Sequence, residues 1–116
     1  MAATSEPKTV AENYFACMRA SDISVVDLFH EDAELRGLGF RKQGKEQIRE
    51  FYTGVIAGAR PSPSPASPIL AEGDHVFAEV YIALAEAPSV HAIDVFHVEA
   101  GRIRSLTYFT ADYPSE

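Results

Sequence analysis

Cysteine is almost missing from this sequence: Cys17 is the only one, so no disulfide can form within the chain. Positive charge is scarce too. Ten Lys and Arg stand against 17 Asp and Glu, a net charge of −7, and no basic cluster stands out, so the electrostatic footprint of a nucleic-acid or anionic-membrane binder is missing. No apolar run approaches the length of a membrane span, and the opening MAATSEPK lacks the apolar stretch of a secretory signal. These absences predict a soluble, cytoplasmic protein without nucleic-acid or membrane partners. Gly37, Gly39 and Gly44 lack the spacing and the following Lys-Ser/Thr of a phosphate loop. His91 and His97 stand six residues apart in one predicted strand, roughly 20 Å, too far to share an ion. His30 beside Glu31 and Asp32 reads as a solvated helix end, and His75 follows a turn. No metal and no cofactor are expected. Cys17, between Ala16 and Met18 on a helix, reads as a small packed residue and not as a nucleophile.

What the chain has is apolar patterning: 47% of its 116 residues are hydrophobic, enough for one core. We expect a disordered leader over residues 1–7 and a single domain over 8–116. Ser5 and Pro7 open a first helix, to about Ala20, whose stripe contains Val10, Ala11, Tyr14, Phe15 and Met18. Ser21-Asp22 caps a short second helix from Ile23 to about Phe29. Ala33 to Phe40 reads as a first strand with a bulge at its glycines, and Gly44 to Ala57 as a third helix with Ile48, Phe51, Tyr52 and Val55 inward. RPSPSPASP alternates Pro with small residues and fits a sheet only at an edge; we place an edge strand near Ile69. Three strands follow, Val76–Leu84, Val90–Val98 and one ending at Thr110. Helices first and strands after predict an α+β domain with helices on one face of a curved antiparallel sheet. The apolar Val76, Ala78, Val80 and Ile82 face is expected to meet a second copy, giving a homodimer through the convex sheet face.

Asp94 is the anomaly. Ala92, Asp94, Phe96 and Val98 share one strand face, so a carboxyl sits among apolar neighbours and must be paired, protonated or functional. In the last strand Arg104, Leu106, Tyr108 and Thr110 share one face, and Ile103, Ser105, Thr107 and Phe109 the other.

The order of VVDLFHEDAEL, GKEQIREFY and HAIDVFHVEAGRIRSL resembles the nuclear transport factor 2-like (NTF2-like) proteins, which include ketosteroid isomerase and the SnoaL-type polyketide cyclases. The resemblance covers about residues 8–112 and implies a cone-shaped fold with an apolar pocket between helices and sheet. In ketosteroid isomerase a first-helix Tyr and a protonated Asp of an Ile-Asp-x-Phe strand form an oxyanion hole. Tyr14 and Asp94 of IDVF fall on those positions. The first-strand Asp that moves the proton in that enzyme has no equivalent, because AELRGLG puts Gly37 or a neighbour there.

Two roles follow for Asp94: a neutral donor to a developing enolate, or an acceptor for a hydroxyl such as Tyr14 or Tyr108. Glu79 could replace the missing base. A four-residue hairpin loop, Ala85–Pro88, sets it opposite Asp94, whereas a five-residue loop, Ala85–Ser89, turns it to the other face. The resulting expectation is cofactor-free proton transfer on an apolar polycyclic ketone by Tyr14, Asp94 and Glu79. Phe15, Leu35, Phe51, Tyr81, Phe96, Leu106 and Tyr108 would line the pocket. A non-catalytic ligand-binding or dimeric interaction module of the same fold is the other reading.

Overall fold

The computed structural model describes residues 6–37 and 39–111. Helix α1 (Pro7–Arg19) starts with Pro at its first turn, where a missing N–H costs nothing, and buries Val10, Ala11, Tyr14, Phe15 and Met18. Ser5, expected as its cap, lies outside the described residues, as does the expected leader up to that point; Pro7 is already helical. The side chain of Asp22 accepts from the Ser24 N–H at 2.9 Å and starts a 3-10 helix, Ile23–Leu28. Helix α2 (Lys45–Gly58) presents Ile48 and Tyr52 to the core.

The expected first strand is in fact a hairpin. Strand β1 (Phe29–Gly37) begins earlier than the periodicity suggests, and β2 (Phe40–Gln43) folds back on it, with Gly37 opposite Phe40. Gly39 has a φ of +83° at this reversal, a conformation most side chains resist, so the glycines mark a turn and not a bulge. The Pro-rich run forms strand β3 (Ser62–Pro65) at the sheet edge, where proline needs no partner for its missing donor. A short β4 (Leu70–Glu72) also pairs with β5 (His75–Leu84); β6 (Ala87–Glu99) and β7 (Arg102–Thr110) complete the set.

The seven strands make one sheet in the order β2-β1-β7-β6-β5-β3, with β4 on β5. Every pairing is antiparallel except β1 with β7, which run parallel. The architecture is α+β, helices packed on one face of a curved, mostly antiparallel sheet.

Register decides which side chains reach the helices. Neither expected hairpin loop forms: Leu84 pairs with Ala87, so only Ala85 and Glu86 turn the chain. The ladder then shifts, pairing Ile82 with Val90, and Pro88, which has no N–H to donate, sits in the extra length. As a result Ala78, not Glu79 or Val80, stands opposite Asp94. A second shift between β6 and β7, where His97 pairs with Ser105 but Val98 with Ile103, lets both Ile103 and Leu106 enter the core. That corrects the simple alternation, which put Ile103 on the face away from Leu106.

The face expected to meet a second copy is the one the helices cover. Val76, Ala78 and Val80 are buried within the single chain. The other, convex face leaves Phe77, Tyr81, Ile93 and Phe109 exposed.

Candidate active site

Between α1, α2 and the concave face lies a cavity of about 250 Å³. Its deep end is built from three tyrosines on three elements: Tyr14 from α1, Tyr52 from α2 and Tyr108 from β7. Helical spacing turns Tyr14 and Tyr52 inward with their apolar stripes, and the β6/β7 register sets Tyr108 directly opposite Asp94. A buried phenol must find a partner for its hydroxyl, and here the three find one another. The Tyr14 and Tyr52 oxygens are 2.8 Å apart, Tyr14 and Tyr108 2.5 Å, and Tyr52 and Tyr108 2.6 Å. Burial first, then the neighbouring phenols, holds the Tyr14 and Tyr108 hydroxyls well above their ordinary range. Burial raises Tyr52 as well.

Asp94 lines the same cavity, is 1% exposed, and its Oδ1 has no hydrogen-bond partner. Removal from water disfavours the charged form, so burial pushes its carboxyl up to about 8. At neutral pH it is mainly a carboxylic acid.

The remaining wall is apolar. The Phe40 and Phe51 rings stack with centroids 4.8 Å apart, and Pro61, Pro63, Ile82 and Val90 contribute from the opposite side. Gly37 also lines the cavity, and a β-carbon there would collide with the Phe40 ring. The place where the resemblance expects a base is therefore filled by phenylalanine.

Among the expected site residues, Tyr14, Asp94, Phe51 and Tyr108 come together around the cavity. Phe15, Leu35, Phe96 and Leu106 do not line it; they are fully buried in the packed core beneath, where Phe15 meets both Tyr14 and Phe96 edge to face. Glu79 and Tyr81 do not belong to the site, because the register shift that follows the two-residue turn puts them on the convex face. There the His91 Nε2–H donates to Glu79 Oε2 at 2.7 Å, and the Tyr81 ring, 51% exposed, stacks on His91 at 4.5 Å. The hydrogen bond from His91, then one from Ser67, holds Glu79 below its ordinary value, the reverse of what a proton-sharing partner of Asp94 would show.

Tyr52 is the site residue that the sequence reading left in the core. The available signal was a polar atom inside an apolar helical stripe, a hydroxyl that has to be satisfied somewhere. Among the described residues no group of three or more His, Cys, Asp or Glu could hold a metal ion, and no helix is long and apolar enough to cross a membrane.

The profile of the SnoaL-like domain matches residues 11–106. No curated protein matches the sequence. Solved structures share the fold at low identity. A candidate ketosteroid isomerase from Kribbella flavida is 16% identical at a TM-score of 0.81, covering 97% of this chain and 83% of its own. A candidate polyketide cyclase from Sinorhizobium meliloti is 21% identical at 0.77, covering 85% and 92%. An LEH-like epoxide hydrolase from M. tuberculosis is 22% identical at 0.81, covering 92% and 84%.

Proposed function

The chain belongs to the SnoaL-like domain family, and from that membership and its pocket we propose a cofactor-free enzyme that enolises a small apolar ketone, with Asp94 as the proton-carrying group. The observation that carries this reading is the unpartnered Oδ1 of Asp94 in an apolar cavity beside three phenols. As an acid, Asp94 donates to the ketone oxygen. In its ionised fraction it takes a proton from the carbon beside the carbonyl, and a carboxyl near 8 supplies both forms around neutral pH. The phenol of Tyr14, released from one of its two neighbours, would then donate to the enolate oxygen. Isomerisation of a double bond and aldol-type ring closure share this step. A cavity of about 250 Å³ suits a one- or two-ring ketone better than a larger polycycle.

Hydrogen–deuterium exchange tests the reading without knowledge of the natural substrate. β-Tetralone, a bicyclic ketone, is incubated with the protein in D2O, and loss of its α-proton signal is followed by NMR. Native protein should accelerate exchange, and Asp94→Asn should remove at least ~100-fold of that acceleration. Binding without exchange favours the second reading, a ligand-binding module without chemistry. One observation supports that alternative: Phe40 fills the space over Gly37 where a dedicated base would stand.

The proposal extends to assembly. Phe77, Tyr81, Ile93 and Phe109 expose one apolar face on an acidic protein, and of the carboxylates beside it, Asp74 at one end and Glu79 between Phe77 and Tyr81 each have a histidine partner. A second copy is the natural cover for a face with so little uncompensated charge. Sedimentation should give a dimer at micromolar concentration, and a monomer there would refute it.

A further inference from the structure

We infer that the pocket also receives a protonated apolar amine, whose N–H donates to Asp94 and whose charge lies against the tyrosine rings. This goes beyond the enolising reading, because it assigns a different class of ligand to the ionised form of the same carboxyl.

The count of protons at the deep end favours a ligand that brings its own donor. Three phenols have three O–H donors, and the three contacts among Tyr14, Tyr52 and Tyr108 consume all of them, one per bond. What each oxygen still offers to a ligand is a lone pair. The Oδ1 of Asp94 is likewise an acceptor without a donor. The deep end of the cavity is therefore rich in acceptors and, with Asp94 ionised, has no donor to spare. A ketone oxygen must open the triangle, or turn to the exposed Thr110 hydroxyl, to gain a second donor, whereas an ammonium group supplies the missing donor and leaves the triangle intact.

Charge and shape agree with this count. None of the cavity-lining residues is Lys, Arg or His, so Asp94 has no positive partner of its own there. Aromatic side chains from four elements line the space, Tyr14, Phe40, Phe51, Tyr52 and Tyr108, and ring faces attract cations. The net charge of −7 raises the local concentration of cationic ligands. The groups facing Asp94 are the phenols of Tyr14, Tyr52 and Tyr108, all held protonated, while β5 contributes only Ala78. Among the described residues that line the cavity, Asp94 and these phenols are the titratable groups.

The carboxyl must ionise before it pairs. With its acid form favoured up to about pH 8, roughly one molecule in ten is ready at pH 7, and amine binding releases the proton from the rest.

Calorimetry on the full chain decides the matter, using benzyldimethylamine with isobutylbenzene as its uncharged isostere. The amine should bind about tenfold tighter at pH 7 than at pH 6, with proton release, while the isostere shows no dependence on pH. Asp94→Asn should weaken the amine at least ~10-fold and leave isobutylbenzene unchanged, which also shows that the variant's pocket is folded. Benzyltrimethylammonium, which has charge but no N–H, should bind more weakly than the tertiary amine. Equal affinity for amine and isostere, a flat pH profile, or an unaffected Asp94→Asn variant would each overturn the inference. Exchange of β-tetralone is read separately, so an amine that fails to bind a protein active on the ketone removes this inference alone.

Discussion

The two faces of the β5–β6–β7 sheet use the same residue types to opposite ends. On the concave side Asp94 stands without a hydrogen-bond partner for Oδ1, and burial raises it to about 8. On the convex side, one position along β5 from the residue opposite Asp94, Glu79 accepts from His91 and is held low. Asp74 is held low too, first by its own backbone N–H and then by His97 and His75, whose rings stack 4.6 Å apart. A carboxyl's chemistry in this fold is therefore set by the face it takes, and the face is set by the register shift beside the Ala85-Glu86 turn. Water separates the cases: the outer carboxylates keep it and gain a donor, and the inner one has lost it.

The largest effect should come from removing the inner acid. A carboxyl of 3.8 in the unfolded chain and about 8 in the folded one binds its proton more tightly in the native state. The native protein therefore loses stability as pH rises between those values, by a total of roughly 5 kcal/mol from about four units at 1.36 each. Well below 3.8 both states are protonated and none of that stability has yet been lost. Asp94→Asn should abolish that slope, so denaturant titrations of the two proteins should diverge steadily from pH 4 to pH 8. Parallel curves would mean that the inner face holds its acid no differently from the outer one.

An intermediate effect is expected at Gly37. A β-carbon there meets the Phe40 ring, so Gly37→Ala should cost ~1–3 kcal/mol and weaken β-tetralone binding as the ring is driven into the cavity. The double variant with Phe40→Ala should recover part of both losses, a coupling that a double-mutant cycle measures. The smallest effect belongs to the outer face. Glu79→Gln removes a solvated partner of His91 and should leave both the thermal midpoint and β-tetralone exchange within error of the native protein. A large loss of exchange there would erase the contrast between the two faces.

Much of this was legible before any coordinates. Three helical segments were visible in their 3.6-residue stripes and capping residues, and β5, β6 and β7 in their alternation. Asp94 announced itself because a carboxyl broke that alternation without breaking the strand. What could not be read was register. A hairpin's side assignment depends on loop length, and AEAPS carries no Asn-Gly or Asp-Gly signal to fix it, while Pro88 looked like a turn residue and is a bulge residue. That single ambiguity misplaced Glu79 and Tyr81 and sent the Val80 face to the wrong side. Phe15, Leu35, Phe96 and Leu106 were rightly placed on inward faces, but inward positions include both the packed floor and the open wall, and periodicity does not separate them. Tyr52 was missed for the same reason.

The parallel pairing of β1 with β7 carries a consequence for the order of assembly. Phe29 lies beside Ile103, and β7 runs between β1 and β6 at the middle of the sheet, although it is the last in sequence of the described strands. Until it docks, the β1–β2 hairpin and the β3–β5–β6 group have no strand joining them, and Tyr14 and Tyr52 lack their third phenol. The β1–β2 hairpin therefore gains its remaining sheet partner only through a pairing between segments far apart in sequence. Such a topology folds slowly for its length, and it makes the arrival of a single strand the moment at which both the core and the pocket come into being.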